Sequence, residues 1–420
     1  MGKIRDVILT QKRELDLFRK EKYIHREILI GKDEFNSDLI KVIIGPRRAG
    51  KSFYAIHQLL DFKAAYLNFD DERLLKTANL DEIIVTLESV YGKFNYVFFD
   101  EIQNLPDWEL FVNRLKRSGF NIILTGSNSN LLSQELSTHL TGRFFQYVIF
   151  PFSFKEYIDF FGKVSTFTTA EIKEKLHNYI INGGYPEIIT KKIQNTKYLK
   201  TLTDSVIYKD IVLRYNIKDG KMIDNLFQFL VSNPGLLTSY NKLKNNLNFN
   251  SVNTIKNYVE YLENAFLIFH IDKFSYKIKE QINSNKKFYL IDNGFYNAKG
   301  FKYSKNLGNL YENAVAVELK KKSLINNIEF YYYHNTQKYE TDFVISENGK
   351  VSQLIQVCYN IENQPTRERE IRGLIHASND LNCNELVILN SEFEKTEEIE
   401  WYNKTYQIKF IPFHKWFLSN

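Results

Sequence analysis

Residues 38–60 read DLIKVIIGPRRAGKSFYAIHQLL, and their order decides the fold of the first third of the chain. An apolar, β-rich run ends at Ile44, a glycine-bounded loop spans Gly45 to Gly50, and residues with helical spacing follow. The loop GPRRAGKS fits the phosphate-binding pattern G-x-x-x-x-G-K-[ST]. Its two glycines permit positive φ and let backbone N–H groups converge on a phosphate at the helix N-terminus, where the helix dipole favours negative charge. Gly45, Pro46, Arg47, Arg48, Ala49, Gly50, Lys51, Ser52 and Phe53 are therefore the candidate ATP-binding residues. In that reading Lys51 bridges the β- and γ-phosphates and the Ser52 hydroxyl binds Mg²⁺.

A site of this kind needs a buried strand ending in acid, and residues 94–103, FNYVFFDEIQ, provide one. Asp100 is the expected Mg²⁺ partner, and Glu101 the residue that orients and polarises the attacking water. P-loop kinases and GTPases rarely carry this glutamate, so the pair favours ATP hydrolysis over phosphoryl transfer to a substrate. Further strand-like runs lie at 64–69, 121–126 and 146–152, alternating with helical patterns. Five such strands predict a doubly wound parallel α/β sheet with the site at its carboxyl edge. The fourth run ends in Ser127 and Asn128. Two readings fit them: sensing of the γ-phosphate and water, with Asn128 catalytic, or ordinary turn chemistry. Arg143, in LTGRF at the end of the preceding helix, is either a finger reaching a neighbouring subunit's γ-phosphate or a surface arginine with a local ion pair.

Composition narrows the rest. The chain has 420 residues, 44% hydrophobic and 25% charged, which fits two to four globular domains and excludes a disordered or fibrous chain. No apolar stretch approaches the ~20 residues that span a bilayer, so no membrane association is expected. The N-terminus MGKIRDVILTQKRELD is charged from the start, which predicts a cytoplasmic protein. Cys358 and Cys383 have no CxxC spacing and the 8 histidines are scattered, so neither zinc nor a structural disulfide is expected. The formal charge of +6 is uneven: residues 191–305 hold 19 basic and 9 acidic side chains, a net +10. That stretch is where a polyanion would bind, unless it is simply a solvated lysine-rich surface.

Within it, 221–231 is helical, Asn233-Pro234-Gly235 breaks the helix, and residues 239–274 read as two short helices and a hairpin. Val252, Ile255, Val259 and Leu262 share one helical face and are expected inside, leaving Asn253, Lys256, Asn257 and Glu260 outside. This is a winged helix-turn-helix pattern, which serves DNA binding in some proteins and packing in others. Residues 366–370 (TRERE) read as a helix start with local ion pairs, whose arginines are also candidates for phosphate contact.

GPRRAGKS, FFDEIQ, LTGSNSNLL, LTGRF, FPFSFKEY and GGYPE, in this order, resemble the AAA-type ATPases of archaea and bacteria that carry a C-terminal DUF4143 region, relatives of the STAND signal-transduction ATPases. The resemblance covers nearly the whole chain. It implies that Arg143 is the finger, that Gly183, Gly184 and Pro186 open the lid, and that Pro186 lies near the adenine. It also implies a C-terminal domain with the PD-(D/E)XK nuclease core, whose carboxylate positions fall on Glu312, Asp342 and Gln356. Gln356 is a neutral amide, and Cys358 stands where that core has lysine. A thiol supplies no fixed positive charge, so a degenerate nuclease site is expected, with only Glu312 and Asp342 left for a metal. The expected domains are 1–165, a P-loop ATPase core with an N-terminal helical segment; 166–275, a helical lid and winged helix; and 276–420, the nuclease-like domain. Three functions compete: an oligomeric Mg²⁺-dependent ATPase acting on DNA, a STAND-like switch that binds a protein partner, and, most weakly, an ATP-regulated nuclease.

Overall fold

A computed structural model of the chain describes residues 2–75, 80–128, 143–301, 307–326, 328–402 and 404–419. It comprises two compact units, Met1–Pro151 with Asn264–Phe266, and Phe152–Glu263 with Leu267–Asn420.

The first unit is built on a parallel sheet of five strands, β1 (Ile40–Ile44), β2 (Ala64–Asn68), β3 (Tyr96–Asp100), β4 (Asn121–Gly126) and β5 (Phe144–Val148), in the order β2-β3-β4-β1-β5. Every residue of β1 and β3 is buried, Lys41 and Asp100 included, as in parallel strands covered on both faces. The strands expected at 64–69 and 121–126 form there. The last begins two residues earlier than expected, because its register with β1 runs from Ile40↔Phe144 to Ile44↔Val148 and pairing stops where β1 stops. The helix Lys51–Gln58 follows the loop and packs Tyr54, Ala55 and Ile56 into one core cluster with Ile43, Tyr66, Phe98 and Ile123. Each such buried side chain contributes about 1.5–3 kcal/mol. The order sets β4 between β1 and β3, so the acid-bearing strand reaches the loop across β4.

The second unit opens with helices Phe154–Phe161 and Thr169–Asn182, both started by capping boxes, Ser153 with Glu156 and Thr168 with Glu171. After the helix Gly220–Ser232 comes a three-stranded antiparallel sheet, β6 (Leu236–Thr238), β7 (Ile268–Ile271) and β8 (Lys286–Leu290), ordered β6-β8-β7. The helices Tyr240–Asn246 and Val252–Asn264 lie between β6 and β7 in sequence. In the second of them Ile255, Val259 and Leu262 are buried and Val252 half-buried, while Asn253, Lys256, Asn257 and Glu260 are exposed, as the periodicity predicts.

The C-terminal sheet contains β9 (Ile328–His334), β10 (Glu340–Glu347), β11 (Lys350–Val357), β12 (Leu386–Asn390), β13 (Lys395–Trp401) and β14 (Lys404–Pro412), ordered β13-β14-β12-β11-β10-β9. The helix Leu307–Asn326 precedes it and the helix Gln364–Leu381, capped by Asn363, joins β11 to its parallel neighbour β12. No helix among the described residues is long and apolar enough to cross a membrane.

Candidate functional site

The loop between β1 and the helix Lys51–Gln58 is held by two features of its backbone. Gly45 and Gly50 have φ of 145° and 93°, and a Cβ on Gly45 would stand 2.1 Å from the Ile149 carbonyl oxygen, so only glycine fits there. Arg26, arriving from the N-terminal segment and buried, donates to the carbonyls of Ala49, at 3.0 Å, and Phe150. Within the loop Lys51 Nζ donates to the carbonyls of Gly45 and Pro46 at 3.1 and 2.9 Å. Arg47 is half-buried and Arg48, with φ of 64°, is exposed. Phe53 leans on His57 (ring centroids 4.6 Å apart), against which Tyr23 stacks at 4.1 Å.

The acid of β3 meets this loop. Ser52 Oγ donates to Asp100 Oδ1 at 2.8 Å, Thr125 Oγ1 of β4 donates to the same oxygen, and Tyr66 OH donates to Oδ2 at 3.2 Å. Burial, and after it the neighbouring Glu101, raises the Asp100 pKa to about 6, against the pull of the Thr125 and Ser52 hydroxyls and of Lys51. Glu101 adopts φ of 51°, which turns it away from the strand direction. Its N–H donates to Thr125 Oγ1 at 3.1 Å and its carboxylate accepts from Gln103 Nε2. Hydroxyl and carboxylate oxygens are the donors a hard divalent cation takes, so Ser52 and Asp100 fit Mg²⁺.

A second charged cluster lies in the other unit. Lys287 of β8, its side chain 3% exposed, places Nζ 2.8 Å from Glu312 Oε1, 2.8 Å from Asp342 Oδ1 and 2.9 Å from Glu340 Oε1. Tyr289, two residues along the same face of β8, donates to Glu312 Oε1 at 2.7 Å. Asp342 Oδ2 accepts the Val357 N–H at 2.9 Å. Gln356 accepts the Asp342 N–H at 3.2 Å and donates to Glu370, which Arg369 also meets. The cluster therefore brings together all three expected nuclease-like positions, Glu312, Asp342 and Gln356, together with an ammonium from outside the sheet. Cys358 lies just past β11 and its thiol is buried and free.

Three family models match in sequence: an AAA domain over residues 37–158, a domain of unknown function (DUF8612) over 173–305, and a domain of unknown function (DUF4143) over 307–413. An uncharacterized protein of Methanocaldococcus jannaschii, MJ1544, is 38% identical over 96% of this chain and 93% of its own. The chain belongs to the AAA-type ATPases with a C-terminal DUF4143 region. An uncharacterized protein of Haemophilus influenzae in turn is 30% identical over 91% of this chain and 95% of its own. Among solved structures, the STAND protein with a tetratricopeptide repeat sensor, PH0952 of Pyrococcus horikoshii, is 15% identical with a TM-score of 0.27, covering 72% of this chain and 47% of that one.

In this ATPase Asn128 is buried at the end of β4, and Arg143 is exposed immediately before β5, with its carbonyl accepting the Ile40 N–H at 3.1 Å. The helix expected before Arg143, and most of LTGSNSNLL, lie outside the described residues. Pro186 is the first residue of the helix Pro186–Lys191 in the second unit. Gly183 (φ 78°) and Gly184 precede it, and buried Asp292 accepts the Gly184 N–H at 2.7 Å and the Gly294 N–H at 2.8 Å.

Sequence reasoning missed Tyr66, Thr125, Arg26 and Lys287. No local motif marks the first three. Lys287 did leave a signal: in the strand KKFYL it shares a face with Tyr289, so alternation sends one of two adjacent lysines inward. The basic stretch 191–305 is correspondingly less free than its count implies. Lys286 pairs with Asp272 at 2.5 Å, Lys299 with Asp204 and Asp224 at 2.6 and 2.5 Å, and Lys287 with its three carboxylates.

Proposed function

We propose that this AAA-type ATPase hydrolyses ATP with Mg²⁺ as a homo-oligomer and couples the cycle to DNA. The observation that carries the first part is the 2.8 Å bond from Ser52 to Asp100, which joins the loop hydroxyl to the acid of β3 on one spot. There the pair would hold Mg²⁺, which when bound neutralises charge on the β- and γ-phosphates. The N–H groups of residues 45–53 cradle the phosphates, Lys51 turns from the loop carbonyls to the γ-phosphate, Glu101 takes the proton of the attacking water, and Asn128 orders that water. Arg143, exposed just before β5, serves a neighbouring subunit, and Pro186 is assigned to the lid by the family resemblance. We divide the chain functionally at 165/166 and 275/276.

The DNA part rests on the second unit. Helix, strand, two helices and a two-stranded β-arm follow in the order of a winged helix, and the exposed face of the helix Val252–Asn264 carries Asn253, Lys256 and Asn257. The arm between β7 and β8 exposes Tyr276, Lys277 and Lys279. Such a surface suits phosphate contact with a polar reading helix. Steady-state hydrolysis with and without duplex, single-stranded and branched DNA tests both parts, with Lys51→Ala as the blank. Stimulation by one form is expected. Hydrolysis by Lys51→Ala at the wild-type rate would overturn the site, and indifference to every DNA would overturn the coupling. Mixing Arg143→Ala with Glu101→Gln should restore some hydrolysis at mixed interfaces, and none at any ratio would sink the trans finger. A second reading, a nucleotide-operated switch for a protein partner, is favoured by Gln103 holding the Glu101 carboxylate. Slow turnover with retained nucleotide and no response to DNA would select it.

A further inference from the structure

The carboxylates of the nuclease-like centre converge on a cation that the chain itself provides. Glu312, Asp342 and Glu340 each put an oxygen 2.8 to 2.9 Å from Lys287 Nζ, which is as close as charge-assisted N–H···O bonds come. An ammonium has three N–H donors, and here each has one carboxylate. The second Asp342 oxygen, Oδ2, takes the Val357 N–H, and Tyr289 OH shares Glu312 Oε1 with the ammonium.

The position of Lys287 is fixed by backbone, not by a floppy side chain reaching in. Asn313, next to Glu312 and fully buried, accepts the Leu290 N–H at 2.7 Å and donates to the Leu290 carbonyl at 3.0 Å. That two-way bond sets the helix Leu307–Asn326 in register with β8, three residues beyond Lys287. The Gly235 N–H donates to the Phe288 carbonyl at 2.8 Å, and a Cβ on Gly235 would lie 3.0 Å from Glu312 Oε1, so the turn after the helix Gly220–Ser232 also closes on this point. The cluster lines a cleft of about 900 Å³ that further holds Gln356, Cys358, Arg369 and Glu370. As they stand around the ammonium, Glu312, Asp342 and Glu340 are not arranged as metal ligands, and no other three His, Cys, Asp or Glu side chains among the described residues are. The carboxylates are spread to the 2.8 Å that an ammonium wants, beyond the 2.0–2.1 Å of Mg²⁺.

We propose that Glu312, Asp342 and Glu340 form a divalent-cation socket that Lys287 fills, so that the β8 lysine keeps the nuclease-like centre metal-free and pins β8 to the C-terminal sheet. Removing the ammonium opens the socket to a metal. This inference is independent of the ATP site and stands or falls without it.

The test is calorimetric titration of MnCl2 into nucleotide-free full-length protein, with thermal melts in the same buffers. Wild type should bind no Mn²⁺ in a manner that Asp342→Asn abolishes, and its melting should be indifferent to Mn²⁺. Lys287→Met should bind one Mn²⁺ at least about tenfold more tightly than wild type and gain melting temperature with it, as binding to the folded state alone requires. Lys287→Met/Asp342→Asn should lose both effects, which separates this site from Ser52 and Asp100. If three bare carboxylates prevent Lys287→Met from folding, Lys287→Met/Glu340→Gln keeps the two principal ligands with less repulsion. Mn²⁺ binding by wild type that Asp342→Asn removes would overturn the proposal. So would the absence of Mn²⁺ binding in a folded Lys287 variant, or failure of both variants to fold even with Mn²⁺ present.

Discussion

The two charged centres of this chain use the same residue types, one lysine and neighbouring carboxylates, and arrange them in opposite ways. At the loop, Lys51 donates to the carbonyls of Gly45 and Pro46, while Asp100 is held by the hydroxyls of Ser52, Thr125 and Tyr66. In the C-terminal domain Lys287 lies directly between Glu312, Asp342 and Glu340. Neutral partners hold a charge in place without cancelling it, so the first centre keeps a cation for phosphate and an acid for metal. In the second, one ammonium gives its three N–H donors to three carboxylates of its own chain, so the cation is fully occupied as it stands. The difference separates a site prepared for a ligand from one closed by its own chain.

The largest effect follows from the first arrangement. Glu101→Gln removes the water-activating base and leaves the Ser52–Asp100 pair intact, so hydrolysis should fall by about 10²–10⁴-fold. ATP affinity, made by the loop, should stay within about threefold. Phosphate release and equilibrium nucleotide binding, measured side by side, check it. A parallel loss of binding would mean that Glu101 holds the loop and does not act on water.

The next effect sets the two lysines against each other. Lys287→Met leaves buried Asp342, largely buried Glu312 and half-exposed Glu340 without their cation, and without metal this should cost about 3–5 kcal/mol in urea unfolding. Lys51→Met gives up bonds to the Gly45 and Pro46 carbonyls and leaves no cluster of carboxylates in direct contact with a lost ammonium, so its cost should stay below about 1.5 kcal/mol. Equal costs would dissolve the distinction between the two centres.

That contrast also marks what a sequence can disclose. GPRRAGKS and FFDE are contiguous, their spacing is set by strand, turn and helix geometry, and the sheet brings the two together as expected. The departures at Gln356 and Cys358 are equally local, and on them alone rests the expectation of a degenerate nuclease site. Lys287 was not legible, because its partners lie 25, 53 and 55 residues along the chain and only tertiary packing decides which of the adjacent lysines turns inward. Gly183 shows the same limit. GGYP reads as a turn between helices, but the reason for glycine at 183 is distant: a Cβ there would meet Asp292 Oδ1 at 1.8 Å. Thr125 and Tyr66 sit on strands whose pattern announces burial, and nothing in that pattern announces that their hydroxyls face Asp100.

Those hydroxyls give the smallest and most diagnostic effect. Asp100 has its pKa raised from 3.8 to about 6, first by burial and then by Glu101. An acid shifted upward binds its proton more tightly folded than unfolded, so its contribution to stability is present below about pH 4 and is lost as pH rises through about 6. A divalent ion at Ser52 and Asp100 needs the ionised carboxylate, so below pH 6 the ion must displace a proton. Apparent affinity for Mn²⁺ with bound nucleotide should then fall about tenfold for each pH unit below that break and level off above it. Thr125→Val takes away a hydrogen bond that favours the charged form and should move the break to higher pH. Glu101→Gln takes away a neighbouring negative charge and should move it to lower pH. Loosening of the loop by either substitution would shift both profiles in the same sense, so opposite shifts assign the break to Asp100, and two unmoved breaks would show that another group governs the metal.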